Sequence, residues 1–241
     1  MILIICHAHD VSAAWAAHAL RERGVALTVL TDDDLAAARN WRHAISADGG
    51  ATLTLELADG RKLESASVSG VLNRLATVPW SWLSRVGGPD VRYAAQEMHA
   101  LYLSWLHALP GPMLNRPTPQ GLCGNNRRLS AWAAMAARAG LPIRPLKLTS
   151  EDDPDETWRA PQEGISRTVV VVRDRAIGPD DLATEHGAAC ARLASASGCA
   201  LLGVEFGPTD DGWRVIGATP SPYLIDGGDR LADALAGALG A

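Results

Sequence analysis

The sequence predicts an α/β protein that opens on a parallel sheet, and three observations carry that expectation. The first is the order of the opening elements. Met1 to Cys6 is a short apolar run that reads as a buried strand, Val11 to Arg23 repeats Val11, Ala14, Trp15, His18 and Ala19 at helical spacing, and Val25 to Leu30 is a second strand. A strand, a helix and a strand in that order favour parallel pairing. The second is that strand runs and helical runs keep interleaving to the end of the chain. The third is composition: 47% of the 241 residues are apolar, enough to bury one large core or two modest ones.

The elements follow from local chemistry. Gly24 stops the first helix. Ala51 to Leu57 alternates, turns at Ala58-Asp59-Gly60 and resumes at Lys62 to Ala66, the signature of a hairpin with an Asp-Gly turn. Val68 to Leu72 is another buried strand. Asp90 to Leu109 spaces Tyr93, Glu97, Leu101, Trp105 and Leu109 four apart and is halted by Pro110-Gly111-Pro112. Met113 to Pro117 reads as a strand entering a turn, Asn125 to Gly140 as a helix and Leu141 to Thr149 as extended chain. Glu151 to Glu163 is acidic, carries Pro154 and Pro161 and has little apolar periodicity, so it reads as a connector. Beyond it come a strand (Thr168 to Val172), a turn at Arg173-Asp174-Arg175, a helix (Asp180 to Ser197) and a hairpin of Leu202–Phe206 with Trp213–Ala218. A last amphipathic helix runs from Asp229 to Leu239.

Composition also excludes functions. A net charge of −5 is the wrong sign for a general nucleic-acid or membrane-surface binder. Cys6, Cys123, Cys190 and Cys199 form no CxxC pair, so neither a zinc knuckle nor a disulfide framework is expected. No stretch has the length and hydropathy of a membrane span. The opening apolar run lacks a basic flank and is too short for a secretory signal, so a cytoplasmic location is expected. Lysine occurs only at Lys62 and Lys147, which leaves two candidates for any lysine chemistry.

Three sets of motifs share one likeness. The first is Thr31-Asp32-Asp33-Asp34, the Asp59-Gly60 hairpin and Gly70-Val71-Leu72-Asn73-Arg74-Leu75. The second is Glu97, Leu114-Asn115-Arg116-Pro117, Asn125-Asn126-Arg127-Arg128-Leu129 and Ala139-Gly140-Leu141-Pro142-Ile143-Arg144-Pro145. The third is Thr168 to Ile177, Leu201-Leu202-Gly203-Val204-Glu205-Phe206 and Trp213 to Pro222. Together these resemble the ATP-grasp ligases, most closely the graspetide (microviridin-type) peptide ligases. The resemblance implies a pre-ATP-grasp-like N-terminal domain over 1–118 and an ATP-grasp-like domain over 119–241. It also implies ATP and Mg²⁺ as cofactors if the chain is an active carboxylate–amine ligase. On that reading Glu205 holds the metal, Arg127, Lys147, Glu205 and Thr219 bind the nucleotide, and Arg167 faces the acyl-phosphate.

Departures from the family pattern point the other way. Where the family has glutamate–x–asparagine–proline, this chain has Gly217-Ala218-Thr219-Pro220, and Glu205 stands for the usual aspartate. Mg²⁺ takes near-octahedral oxygen ligands, commonly one or two carboxylates with substrate phosphates. One carboxylate and a neutral threonine oxygen make a weak clamp. The family's small β-rich lid subdomain, with its lysine and glycine-rich loop, has only the connector 151–163 in its interval. That connector has six acids and no lysine, and acidic chain repels a triphosphate. Arg127 stands where the family has lysine, and Arg167 is one residue off the family's spacing to the following turn, so a plain surface arginine is its alternative.

Other candidates rest on placement. Loops at the C-terminal ends of parallel strands often line ligand sites, which singles out Cys6, His7, His9 and Asp10. Imidazole and thiolate suit Zn²⁺ or copper, so a metal or general-base site there is one alternative and a polar, ligand-facing loop the other. Asn73 and Arg74, with Trp80 and Trp82, form a possible peptide-binding surface, against the alternative that tryptophan does core work in a chain with one Phe. Asn115 and Arg116 either meet a ligand at the sheet rim or form a turn held by asparagine before proline. The expectation is therefore an α/β chain with a shortened, lidless ATP-grasp-like second domain. It serves as a binding or scaffold subunit in a peptide-modification or natural-product pathway, with a peptide or protein partner, as a homodimer or a partner-enzyme complex. No nucleic acid and no membrane are expected as partners.

Overall fold

The computed structural model describes residues 1–79, 90–146 and 166–241. Trp80, Trp82, Lys147 and the connector 151–163 lie outside the described residues. The chain divides into two compact units, Met1–Asn125 with Tyr223–Ala241, and Asn126–Pro222. The second break, at 222/223, arises because the C-terminal helix packs with N-terminal elements of the first unit.

In the first unit, β1 (Ile2–Cys6) is buried at every position, as a central strand covered on both faces must be. It pairs in parallel with β2 (Leu27–Thr31) and β6 (Gly70–Asn73), and β6 pairs in parallel with β7 (Met113–Leu114), giving the order β2-β1-β6-β7. The register sets Cys6 beside Thr31 and Ile5 beside Asn73, so the strands' C-terminal ends share one edge. Between β1 and β2 runs α1 (Val11–Glu22), whose first turn is capped by the Asp10 carboxylate accepting from Ala13 N–H. The acidic stretch after β2 is itself a helix start: Thr31 and Asp34 form a reciprocal capping box at the head of α2 (Asp32–Ala36).

A second, antiparallel sheet orders β3 (Asn40–Ile45), β4 (Ala51–Glu56) and β5 (Lys62–Glu64). The Asp-Gly hairpin is β4–β5 as expected. β3 carries no apolar run, since half its residues are polar and none is buried, as suits an edge strand. Across this sheet lies α3 (Val91–Ala108), burying Tyr102, Trp105 and Leu106. Trp41 of β3 meets the Tyr102 and Trp105 rings at centroid distances of 5.3 and 5.5 Å. The last helix, α6 (Gly228–Leu239), packs against α1, β6 and β7. Gly70 permits this approach, since a Cβ there would collide with the Leu239 carbonyl. Arg23 fixes the helix by donating to Asp233 (2.7 Å) and Asp229 (2.9 Å).

The second unit holds α4 (Leu129–Arg138), β8 (Arg167–Val172), β9 (Arg175–Ile177), α5 (Asp180–Ser197), β10 (Leu201–Thr209) and β11 (Gly212–Thr219). Its antiparallel sheet has the order β11-β10-β8-β9. Side chains alternate across a sheet, and here the alternation is decisive. Val169, Val171, Leu202, Val204, Phe206 and Val215 form one buried core with α4 and α5. Thr168, Gly203, Glu205, Gly217 and Thr219 therefore lie on the opposite face.

Candidate functional site

In the first unit, most of the sequence-predicted residues gather at the C-terminal edge of the parallel sheet. His7, in the loop after β1, places Nδ1 2.8 Å from Asp32 Oδ2. Its Nε2 accepts from Ala76 N–H at 3.2 Å. An acceptor at Nε2 requires the proton on Nδ1, so the two bonds agree on one tautomer. Asp32 also accepts from the N–H groups of Ala8 (2.8 Å) and Asp33 (3.1 Å). Burial would raise the Asp32 carboxyl, but the His7 bond and these backbone donors outweigh it and hold it below the usual carboxylate range. Arg74, buried, donates from Nε to Asp10 Oδ2 at 2.7 Å. Asn73 donates from Nδ2 to the carbonyls of Asn115 (2.9 Å) and Leu122 (2.7 Å), and its Oδ1 accepts from Leu75 N–H.

These residues share one edge of the sheet, and their hydrogen bonds are made within it. Asn73 is fully buried and Asn115 nearly so, with the Asn73 amide spent on neighbouring backbone. Arg74 is spent on Asp10, which caps α1. Both His7 nitrogens are engaged, Cys6 is buried, and burial, with Asp10 next, pushes its thiol up to about 12. These are the hydrogen bonds of a latch joining β1, β2 and β6. Among the described residues no group of three His, Cys, Asp or Glu side chains is placed to hold a metal ion. His9 is exposed, and Arg116 donates to the Gly111 carbonyl at 3.3 Å.

In the second unit the candidates divide between faces. Glu205 stands on β10 directly opposite Thr168 of β8 and Gly217 of β11. A Cβ built on Gly217 would lie 3.3 Å from Glu205 Oε2, so the carboxylate leans over the space that glycine leaves. Thr219, two residues on, accepts from Ser221 N–H through Oγ1. It pairs with Gly203, over which Pro222 sits so closely that a Cβ on that glycine would lie 2.7 Å from the proline Cβ. A β-bulge beside Glu205 and Phe206 inserts Ile216 as the extra residue of β11.

Arg167 is not with them. It pairs with Phe206 in register, on the helix side, where it makes a two-bond contact with Asp181 (2.7 and 2.6 Å) and lies 5.0 Å over the Trp213 ring. The residue opposite Glu205 is Thr168, so the one-residue offset seen in the sequence is a change of face. Arg127 precedes α4 instead of riding on it, 5.9 Å over the core residue Trp132. Sequence reasoning missed Asp32 and Ala76 in the first unit, and Thr168 in the second. The offset at Arg167 was the one signal that pointed to Thr168. Among the described strand residues Glu205 is the one carboxylate on its face, fewer charged oxygens than suit a Mg²⁺–triphosphate.

No family model matches the chain, and no curated protein matches it in sequence. Solved structures do. The macrocyclase MdnC of Microcystis aeruginosa, bound with precursor peptide MdnA, aligns at a TM-score of 0.72 and 14% identity over 99% of this chain and 98% of that one. A RiPP-associated ATP-grasp ligase of Chryseobacterium gregarium, in complex with ADP and a leader and core peptide, aligns at 0.68 and 13%, over 99% and 96%. The ATP-grasp ligase PsnB, with a phosphomimetic minimal precursor variant, Mg and ADP, aligns at 0.65 and 16%, over 99% and 97%. At such identities the likeness is one of fold, and the chain takes the ATP-grasp fold of the peptide ligases along almost its whole length.

Proposed function

We propose that this chain is a degenerate ATP-grasp protein that binds a peptide and acts as a binding or scaffold subunit in a peptide-modification pathway. One observation carries the reading: Gly217 faces Glu205 across the β10–β11 hairpin, in the register where a second carboxylate would complete a cation clamp. The departure of Arg167 to the helix face supports it, as does the placement of Thr168 in its stead. The peptide partner is supported by the solved neighbours, which are themselves bound to precursor peptides. We further propose that the family's lid subdomain is replaced by the connector 151–163, and that the chain works as a homodimer or with a partner enzyme.

The decisive experiment is calorimetric titration with Mg²⁺–ATP. The expected result is no saturable heat, alongside recovery of a bound peptide or partner protein from the purified chain. Micromolar nucleotide binding that Glu205→Ala abolishes would refute the degenerate reading. It would favour the active carboxylate–amine ligase, in which Glu205 serves Mg²⁺, Arg127, Lys147 and Thr219 the nucleotide, and Arg167 the acyl-phosphate. That alternative draws its support from neighbours complexed with ADP and Mg.

A further inference from the structure

β3 is the outer strand of the antiparallel sheet β3-β4-β5, and its pairing with β4 fixes which way its backbone faces. Ser46 N–H donates to the Gly50 carbonyl in the same register that sets Ala44 opposite Thr52 and Arg42 opposite Thr54. Hydrogen-bonded pairs alternate along an antiparallel ladder, so the even-numbered residues of β3 spend their backbone on β4. Leu57 agrees: its N–H donates to the Arg61 carbonyl, so the odd-numbered residues of β4 turn to β5. Trp41, His43 and Ile45 therefore aim their N–H and C=O groups away from the sheet, and no strand of the described residues pairs with them.

Proteins blunt such an edge with proline, lysine, a bulge or a covering element. β3 has neither proline nor lysine, its pairing with β4 runs without a break, and α3 packs chiefly on β4, one strand inward. Ile45, at the end of the strand, is 67% exposed, so an apolar side chain stands beside an open row of donors and acceptors.

An open edge is matched by another strand, and β3 complements itself. Two copies related by a two-fold axis at His43 set Trp41 of each opposite Ile45 of the other and pair all three open residues of both. Each copy gives three N–H and three C=O groups, which makes six interchain hydrogen bonds. The exposed Ile45 is then covered by a half-buried indole, an aromatic with β-branched pair of the kind that stabilises antiparallel sheets. Arg42 falls opposite Ala44 and meets its own copy only diagonally, in solvent, where salt screens the two charges. The neighbouring registers lose this match: centring on Arg42 sets the two guanidinium groups directly opposite, and centring on Ala44 leaves Trp41 outside the ladder. The axis stands perpendicular to the sheet, so both α3 helices lie on one face. Each over its own β4, they are three strand spacings apart, roughly 14 Å, wider than the roughly 8–10 Å of packed helices, and do not collide.

We propose that β3 pairs antiparallel with β3 of a second copy, centred on His43, joining two three-stranded sheets into one of six strands. This rests on the homodimer of the functional reading and gives that homodimer its surface.

Sedimentation equilibrium of the full chain over a concentration series, with amide hydrogen exchange at both ends of the series, tests it. A contact between two six-residue strands is at the low end of specific interfaces, so a reversible dimer with a dissociation constant of roughly 10–100 μM is expected. The Trp41, His43 and Ile45 amides should gain protection as the dimer forms, while the Arg42 and Ala44 amides, bonded to β4, stay protected throughout. Ile45→Pro removes an outward N–H without touching the β4 ladder and should weaken dimerisation at least about tenfold, the scale of two lost interchain hydrogen bonds, with the monomer's unfolding unchanged. Ile45→Asp, which keeps the N–H, should weaken it as well, whereas Tyr223→Asp, at another exposed apolar position, should not. A dimer that survives both Ile45 variants overturns the edge pairing and leaves the homodimer standing. A chain that is monomeric throughout overturns both. Protection of the three odd-numbered amides by a co-purified peptide on a monomeric chain also overturns the pairing, and assigns the edge to that peptide.

Discussion

Restoring the second acid is the most informative perturbation. In Gly217→Glu combined with Thr219→Asn, the new side chain starts from a Cβ 3.3 Å from Glu205 Oε2. The neighbour is the end of a flexible side chain, so it yields by a few tenths of an ångström. Two carboxylates then share one face about 5 Å apart, and their repulsion is about 0.8 kcal/mol at the dielectric constant of water or about 3 kcal/mol at an effective value of 20. The variant should therefore be less stable than wild type by roughly 1–3 kcal/mol without divalent metal. A cation between the acids reverses the sign. At a metal concentration a hundred times the dissociation constant, the gain is about 2.7 kcal/mol. The assay is chemical denaturation with EDTA and with a Mg²⁺ or Mn²⁺ series. Wild type should stay flat across the series, while the variant starts low and rises. A variant with no loss in EDTA and no metal-dependent gain would show that residues 205 and 217 do not face one another as the register requires.

Three further outcomes follow from the bonding. Asn73→Leu removes the hydrogen bonds that the Asn73 amide makes to the Asn115 and Leu122 carbonyls and the Leu75 N–H in the core and should cost about 3–9 kcal/mol, at roughly 1–3 kcal/mol for each lost bond; a loss of peptide binding at unchanged stability would instead return Asn73 to the substrate-binding role. Asp32 titrates below its ordinary range in the folded chain, so its contribution is present above the unfolded carboxylate pKa of about 4 and lost as pH falls through the lower folded value. Asp32→Asn should accordingly flatten the acid limb of a stability-against-pH curve, and an unchanged limb would mean the His7–Asp32 bond is absent in solution. All four cysteines are buried and none is in a disulfide, and burial pushes the Cys190 thiol, like Cys6, up to about 12. At pH 8 only about one such thiol in ten thousand is thiolate, so a thiol reagent should label the native chain only at its rate of unfolding; prompt labelling would contradict the burial.

The fold was legible where apolar pattern and turn chemistry agree. Ile2 to Cys6 is apolar because it is covered on both sides, and the Asp59-Gly60 turn names its hairpin unaided. β3 was illegible because Asn40, Arg42 and His43 belong to an edge, where half the residues answer to solvent. Asn125 to Arg128 was read as helix because it abuts a strong helical pattern, yet Arg128 adopts an extended conformation and only then does α4 begin. At the candidate site, sequence order marked a neighbourhood in each unit but not the bonding within it. The residues at the sheet edge looked like ligand contacts because polar groups among strand ends usually are. Their partners, Asp32 and the backbone of Ala76 and Leu122, are distant in sequence and bear no mark of the pairing.

Arg167 and Glu205 show how the two faces of one sheet answer to different demands. The core of the second unit is built from Val169, Val171, Leu202, Val204, Phe206 and Val215 with the helices behind them. Glu205, Gly217, Thr219 and Thr168 point the other way. Because side chains alternate, the half-buried positions Thr168, Glu205, Gly217 and Thr219 can change with little effect on the core behind the sheet. An acid at 217 can become glycine, or an arginine at 168 threonine, at a cost within the small range typical of surface substitutions. The converse holds for the helix face: truncating Phe206 or Val171 removes core volume and costs several kcal/mol. Selection for a packed fold thus acts on one face of this sheet and selection for chemistry on the other. Change on the second leaves the first intact, which is how a chain only 13–16% identical to the solved macrocyclase and ligases can keep their fold.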